Sequence, residues 1–414
     1  MRKSRSLERV VVTGMGVASP LGCTLDGFWQ GLLAGRSGVV ALEDADYAGL
    51  PARVGARVCG YVEAEHFDRK ELRRMSRTSQ LAIVAAKQAI AQAGLEAGGA
   101  DPQQVGVMIG SSIGGYSASE LFFKDYYQQE RSSPLAIPIS MNMAPSANLS
   151  IRYGFQGPLL NVDAACASAA HAVAHAYNLI RTGMLEVALT GGADSPFTPG
   201  ILAGWAAMRA LSQRNDDPAH ACRPFSADRD GLVLGEGAAV LVLESESHAR
   251  RNGKTILAEI LGYGASADSY HLTQPPLEGP ARAMQRALDD AGLAPEQIDA
   301  INAHGTGTIF NDQNETAAIK EVFKDHAYHI PVVGNKAALG HSIAASGALE
   351  LVCSIFMIRE RLVPPTINYT IPDPECDLDY VVDGPRHHPV RTVLSNSFAF
   401  GGSNAALIAG EYEG

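Results

Sequence analysis

The chain has 414 residues, 46% of them hydrophobic and 19% charged, with 42 glycines and a net charge of −11. That length exceeds what one small core holds, so two structural units are expected, and the acidic balance argues against a general nucleic-acid binder. Six scattered cysteines (Cys23, Cys59, Cys166, Cys222, Cys353 and Cys376) form no CxxC pair and no Cys/His ligand spacing, which argues against a disulfide scaffold or a metal site and for reduced thiols in the cytoplasm.

Strand-like and helical runs alternate along the chain, the pattern of a layered α/β fold. Met1-Arg2-Lys3-Ser4-Arg5 mimics the basic head of a signal peptide, but the run that follows, Val10–Thr13, is a strand pattern too short for an export core. Gly14-x-Gly16 reads as a turn after that strand; it lacks the third glycine of a dinucleotide loop and runs into Pro20 rather than a helix. Residues 69–77 hold five cations and one anion, with Arg69, Arg73 and Arg77 at successive turns of a helix and Lys70 and Arg74 beside them. Such a stripe on an acidic chain fits a solvated helix face or a docking site for an acidic partner. A helix is expected over 80–94, and strands over 106–109, 159–163, 187–190 and 238–243. The loop from Gly110 to Gly115 lacks the Lys-Ser/Thr of a phosphate loop and reads as a tight turn lining a cleft.

Cys166 stands where the run 159–163 turns straight into an alanine-rich helix over 168–182. A lone buried cysteine is ordinarily a small hydrophobe. This placement raises it to a nucleophile, because a thiol at a helix start feels the positive end of the dipole, which favours thiolate, and the next N–H groups face an oxyanion. His171 and His175, five and nine residues on, read as ordinary helix-face histidines, since 3.6 residues per turn prevents both from facing Cys166.

A polar seam at 248–254 divides the chain into halves, 1–253 and 254–414. Both open on a strand followed by glycines, Val10–Gly16 and Glu259–Gly264, a hint of internal duplication. The second half reads as strands over 256–263, 298–303, 331–334 and 393–397, with helices over 279–292 and from Ser342. The apolar stretch Ser342–Ile358 carries Glu350 in its middle and reads as a buried helix, not a membrane span. His304 and His341 each follow a short strand and precede small residues, so both can point into a cleft. Lys336 and Glu350 sit in apolar surroundings where an unpaired charge is costly, so they are expected to satisfy each other or a shared network beneath the histidines. Phe398 and Phe400, in the hinge-like loop before Asn404, read as exposed aromatics. The pattern points to acyl transfer through a cysteine with two histidine partners.

With these residues assembled, the chain resembles the β-ketoacyl-[acyl carrier protein] synthases of the condensing-enzyme family, most of all the elongating type II synthases, from about Arg9 to Ile408. The motifs run in order: Asp163-Ala164-Ala165-Cys166-Ala167-Ser168; Arg223-Pro224-Phe225-Ser226 with Asp228-Arg229-Asp230-Gly231; His304-Gly305-Thr306-Gly307-Thr308; Lys336 to His341; Val363–Asn368; and Asn396–Gly402. The resemblance implies a thiolase-type fold, layered α-β-α-β-α with two duplicated halves, usually a dimer. It implies that Cys166 accepts an acyl chain from a carrier-protein phosphopantetheine and that malonyl-carrier protein is then decarboxylated and condensed onto it. His304 and His341 would donate to the malonyl thioester oxygen, Lys336 would order His304, and the N–H groups of Cys166 and Phe400 would form the oxyanion hole. Thr306 and Thr308 match positions that bind the pantetheine arm; Arg69, Lys70, Arg73, Arg74 and Arg209 match carrier contacts. Neither a cofactor nor a metal is implied, since the phosphopantetheine belongs to the acyl carrier protein.

Three segments depart from the family pattern. Ala399 replaces the first glycine of the usual Gly-Phe-Gly-Gly, which bears on gating by Phe400; residues 334–340 differ from the usual Ser-Thr-Lys-Ser-Met-Thr-Gly; and residues 307–316 look more like dissociated polyketide synthases. Together they point to a specialised polyketide or polyene pathway, with fatty-acid biosynthesis as the alternative; such a chain pairs with itself or with a homologous chain-length factor lacking the cysteine. Three alternatives stand beside this reading. A thiolase would carry a second cysteine in a C-terminal Cys-x-Gly motif, but no cysteine follows Cys376; an initiating synthase would show Cys-His-Asn; and a non-catalytic chain-length-shaping subunit is hard to square with Cys166, His304 and His341 together. Ile113, Tyr116 and Met143 are expected to set pocket depth.

Overall fold

The computed structural model describes residues 7–95, 100–273 and 276–414; the Met1–Arg5 segment lies outside them. Ten strands form one continuous hydrogen-bonded sheet. In chain order they are β1 (Val10–Ala18), β2 (Val105–Gly110), β3 (Leu159–Val162), β4 (Val187–Asp194), β5 (Gly237–Ser245), β6 (Ala258–Ala267), β7 (Ala300–Asn302), β8 (Val332–Val333), β9 (Thr392–Ala399) and β10 (Ser403–Gly410). Their order across the sheet is β8-β7-β9-β10-β6-β1-β5-β4-β2-β3. Counted from its own first strand, each half has the order 3-2-4-5-1. In both, strand 2 is parallel to strands 3 and 4, and strand 5 is antiparallel to strands 4 and 1. The two first strands join the halves, Val10 opposite Ile260 and Val12 opposite Ala258. The duplication hinted at by the two openings is therefore a repeated topology.

The longer helices are α1 (Arg77–Ala93), α2 (Tyr116–Gln129), α3 (Ser168–Arg181), α4 (Glu278–Ala291), α5 (Ile309–Phe323) and α6 (Ser346–Glu360). Strand alternation sorts the core into layers. Ala239, Leu241 and Leu243 of β5 face a central cluster with α3 and α6, whereas Ala238, Val240 and Val242 face an outer cluster with α1. In the second half, Ala405, Leu407 and Ala409 of β10 face the same centre, and Ala406 and Ile408 face α4 and α5. This gives five layers, α-β-α-β-α.

The expected elements are present, with four corrections. Gly14 and Gly16 lie inside β1 rather than in a turn, where α1 packs so closely that a Cβ on Gly16 would stand 2.1 Å from the Ala85 carbonyl. Gly264 in β6 meets α4 the same way, 2.0 Å from the Ala283 carbonyl. The basic stripe is not one helix, because Ser76 accepts from the Ser79 N–H and starts α1 afresh, leaving only a short turn over Arg69–Leu72 before it. Helix α6 begins at Ser346, after a 3-10 turn over Ile343–Ala345, not at Ser342. Among the described residues, no helix is long and apolar enough to cross a membrane.

Candidate active site

The reactive groups come from chain segments that follow strands of both halves. Cys166 follows β3 in a 3-10 turn, Ala165–Ala167, directly before α3. His304 follows β7, His341 follows β8 through the short helix Lys336–Leu339, and Phe400 follows β9. Together with Thr306 and Thr308 they line a cavity of about 500 Å³.

Cys166, His304 and His341 are all buried. His341 Nε2 lies 3.1 Å from Cys166 Sγ, and the two imidazoles meet edge to face with centroids 5.4 Å apart. Behind each ring stands a donor. The Ile343 N–H donates to His341 Nδ1 at 3.2 Å, and the Lys336 ammonium faces His304 Nδ1 at 3.3 Å. An ammonium can only donate, so in both neutral rings Nδ1 accepts and the proton sits on Nε2. Burial, and then the Lys336 charge, holds both histidines well below the ordinary pKa. They are neutral donors.

The thiol does not follow the helix-dipole expectation. Burial pushes Cys166 up to about 12, outweighing the pull of Lys336; buried Asp194 pushes further, and the N–H groups of Phe400 and of Cys166 itself pull back. The resting nucleophile is a thiol beside a neutral imidazole, because desolvation of a thiolate outweighs the end of one helix. The same two N–H groups converge on the sulfur, as an oxyanion hole requires.

Lys336 and Glu350 meet as expected, in a fully buried ion pair. Lys336 also donates to the His304 carbonyl at 2.5 Å. Two further buried carboxyls, not anticipated from the sequence, brace the loops. Glu315 accepts from the His304 and Gly305 N–H groups, each at 2.8 Å, and burial pushes it up to about 7. Asp194 accepts from the Ala344 and Ser112 N–H groups and is likewise raised by burial to about 7. Only the nearness of Glu315 to the histidine motif, seven residues after Thr308, could have marked it; Asp194 carries no such signal.

Phe398 is buried, not exposed, and packs edge-on against His304. Phe400 stacks on Trp205, centroids 5.7 Å apart. Ala399 ends strand β9 and is not among the left-handed residues, so alanine fits this position of the loop; the left-handed backbone falls on Gly401 and Gly402. Thr306 and Thr308 share a hydrogen bond of 2.9 Å. Ile113 packs against the Cys166 cluster, Met143 is half-buried at the start of the helix Ala144–Tyr153, and Tyr116 faces outward on α2. His171 bridges Tyr263 and Ser403 at 2.6 and 2.9 Å, and His175 is exposed; neither reaches the site.

Arg209 stands exposed at the cavity mouth. Arg69, Lys70, Arg73 and Arg74 are exposed as well but do not line this cavity. Arg77, the fifth cation of the stripe, is held by Glu236 at 2.6 Å, and Glu71 by Arg152 at 2.8 Å. Among the described residues no group of three or more His, Cys, Asp or Glu is placed to hold a metal ion.

Comparison with known families decides the lineage. Residues 7–249 match the beta-ketoacyl synthase N-terminal domain and residues 257–370 its C-terminal domain. The chain belongs to the β-ketoacyl synthase family. The synthase is 44% identical over 402 residues to Nodulation protein E of Rhizobium meliloti strain 1021, covering 97% of this chain and 98% of that one. It is 43% identical over 405 residues to 3-oxoacyl-[acyl-carrier-protein] synthase 2 of Coxiella burnetii, with the same coverage. Two solved structures superpose with TM-scores of 0.91, each covering 98% of this chain and all of the other. One is the ishigamide ketosynthase/chain length factor, 35% identical, and one is a type II polyketide synthase acyl-carrier protein in complex with its ketosynthase bound to the hexaketide, 31% identical. The fold is thiolase-like, and the synthase is an acyltransferase of the condensing type.

Proposed function

We propose that Cys166 takes an acyl chain from a carrier-protein phosphopantetheine and that His304 and His341 drive its decarboxylative condensation with malonyl-carrier protein. The observation that carries this reading is the pair of neutral imidazoles, each fixed as a donor at Nε2, beside one buried thiol. In the first step the sulfur attacks the incoming thioester carbonyl, whose developing oxyanion is met by the N–H groups of Cys166 and Phe400. The thiol proton is taken up by the departing pantetheine thiolate, so the step is neutral overall and consumes no base. In the second step malonyl thioester loses carbon dioxide, and the electron pair of the broken C–C bond passes into an enolate. The Nε2–H groups of His304 and His341 stabilise that oxygen; neutral donors do so without quenching the carbanion as an acid would. The enolate carbon attacks the acyl-Cys166 carbonyl, and the cysteine leaves as thiolate and takes a proton from water.

Lys336 positions His304 through its Nδ1 and carbonyl, and Thr306 and Thr308 hold the arm of the carrier. Arg69, Lys70, Arg73, Arg74 and Arg209 meet the carrier's acidic surface. The chemistry calls for neither metal nor resident cofactor, because loss of carbon dioxide and thioester cleavage supply the driving force. We place the chain in the cytoplasm, where carrier proteins and malonyl thioesters are made. The pathway reading is a specialised polyketide or polyene route, supported by residues 307–316 and by the ketosynthase neighbours. A dimer is supported by β3, which ends the sheet as an open edge, and by Leu121, Phe123 and Tyr127 exposed on α2. The partner is a second copy or a homologous chain-length factor; in either case this chain, which keeps Cys166, is the catalytic member.

The test is intact-mass and product analysis of the purified chain with acyl- and malonyl-carrier protein. Acylation at Cys166 followed by a β-keto product two carbons longer is the expected result. Condensation only after a homologous subunit is added identifies the heterodimer, and no acylation in either case overturns the reading.

A further inference from the structure

We propose that an apolar collar on the cavity mouth, centred on Ile309 and Phe310, is the seat of the carrier protein and binds the apolar surface around the serine that bears its phosphopantetheine. The inference rests on the condensing reading above.

Helix α5 opens in reverse of ordinary amphipathic order. Its polar residues Asn311 and Asp312 are buried, whereas Ile309 is 51% and Phe310 is 68% exposed. The register cannot turn to hide them. Asp312 is pinned by the N–H groups of Phe225 at 2.8 Å and Gly307 at 3.2 Å and lies 3.5 Å from Arg229. Rotating Phe310 inward would strip those bonds from a buried carboxyl, so the anchors that orient the His304 loop also push two large apolar side chains into water. Met208 and Leu272, on the lining of the same cavity, are 46% and 72% exposed. Four large apolar groups on one opening are more than scattered surface hydrophobes, and such patches mark interaction sites.

The occupant follows from where the collar sits. Cys166, His304 and His341 all line the cavity that this mouth opens. A thioester arm must pass through the mouth, so the body carrying the arm rests on the rim. Arg209 stands beside the collar as an exposed cation. An acidic carrier with an apolar patch next to its modified serine satisfies both features; a purely acidic footprint would leave the collar in water. Arg209 then supplies attraction that salt screens, and Ile309 and Phe310 supply contact that salt does not.

The experiment measures affinity for a hexanoyl-loaded bacterial fatty-acid acyl carrier protein, using the full chain with Cys166→Ala so that no transfer occurs. The double change Ile309→Gln, Phe310→Gln is expected to weaken binding about tenfold, at both low and high salt, and Phe310→Leu is expected to restore most of it. With Cys166 intact, the same double change is expected to shift KM for hexanoyl-pantetheine by less than about twofold. Arg209→Ala should weaken carrier binding at low salt only. Unchanged carrier affinity in the double variant, equal losses on carrier and pantetheine substrates, or a shift in oligomeric state in place of carrier affinity would each overturn the collar. Failure of the condensing reading is separately visible as a chain that binds the carrier and forms no β-keto product, and the affinities score the collar in that case too.

Discussion

Ala165 and Ile343 occupy matching positions in the two halves and share a left-handed backbone, φ +46° and +48°. Each opens the 3-10 turn that follows the third strand of its half and precedes a buried helix, α3 or α6. The turn carries Cys166 in the first half and Ala344 in the second, so the duplication kept a nucleophile elbow in both and a nucleophile in one. Left-handed backbone costs an L-residue roughly 1–2 kcal/mol, and such strain persists where function over-determines it. Ala165→Gly relieves it. We expect a gain of about 1 kcal/mol in unfolding free energy, tempered by glycine's larger unfolded-state entropy, together with slower acylation of Cys166 as the elbow loosens. Urea unfolding and single-turnover mass spectrometry measure the two; equal acylation rates would show that the strained turn does not position the sulfur.

Lys336 and Glu350 form a buried pair in which one Glu350 oxygen, Oε2, has no partner. Glu350→Gln leaves the Lys336 ammonium buried without its counter-charge, and breaking such a pair typically costs about 3–5 kcal/mol. The same change frees Lys336 from the pose that fixes the His304 tautomer. We therefore expect both lower stability and slower malonyl decarboxylation, with acylation of Cys166 less affected because His341, not His304, lies against the sulfur. Unchanged stability and unchanged decarboxylation would contradict this account.

Much of this arrangement is written locally. Runs such as Val10-Val11-Val12 and Ala238–Leu243 form strands because β-branched and apolar residues are uninterrupted, and α4 stops where Gly292 takes a left-handed φ of +66°. The three reactive residues are legible because each follows a short strand and precedes small residues. The remainder depends on partners distant in sequence. Strand β10 is alanine-rich and has little β propensity of its own; it is a strand because β9 and β6 flank it on both sides. Gly16 looks like a turn glycine until α1 is laid across β1. The helix at 69–77 fails at Ser76, where capping α1 competes with continuing the turn. The Cys166 thiol follows the same logic: the dipole is a local feature, whereas the burial that overrides it is assembled from both halves.

Gly16 and Gly264 provide a symmetric test of that close packing. A Cβ at either position would lie about 2 Å from a helix carbonyl, Ala85 or Ala283, and backbone cannot swing aside as a flexible side chain can. Each glycine-to-alanine change must displace α1 or α4 from its sheet, with an expected cost of about 1–3 kcal/mol. The helices lie on opposite outer faces, so the two costs should add in the double variant. Chemical denaturation of both single variants and the double checks this; a fully tolerated Gly16→Ala would mean that α1 seats further from β1.

Buried Glu315 makes stability depend on pH in a direction that can be worked out. Its pKa is raised by burial from 4.5 to about 7. Between those values the unfolded chain has released a proton that the folded chain retains. The unfolded state then binds fewer protons, and stability falls as pH rises through that window. Asp194, raised from 3.8 to about 7, acts in the same sense. His304 and His341, held well below 6.5, act oppositely: below that pH the unfolded chain protonates them and the folded chain does not, so stability is lost as pH falls. The two sets oppose each other in wild type, so the single contributions are read in variants. For Glu315→Gln, unfolding free energies at about pH 5 and about pH 8 should move in the variant's favour relative to wild type by on the order of 2 kcal/mol. Below pH 4.5 the difference should level off, since both states then hold the proton. An offset that stays constant with pH would mean that the His304 and Gly305 N–H groups hold the Glu315 carboxylate ionised despite its burial.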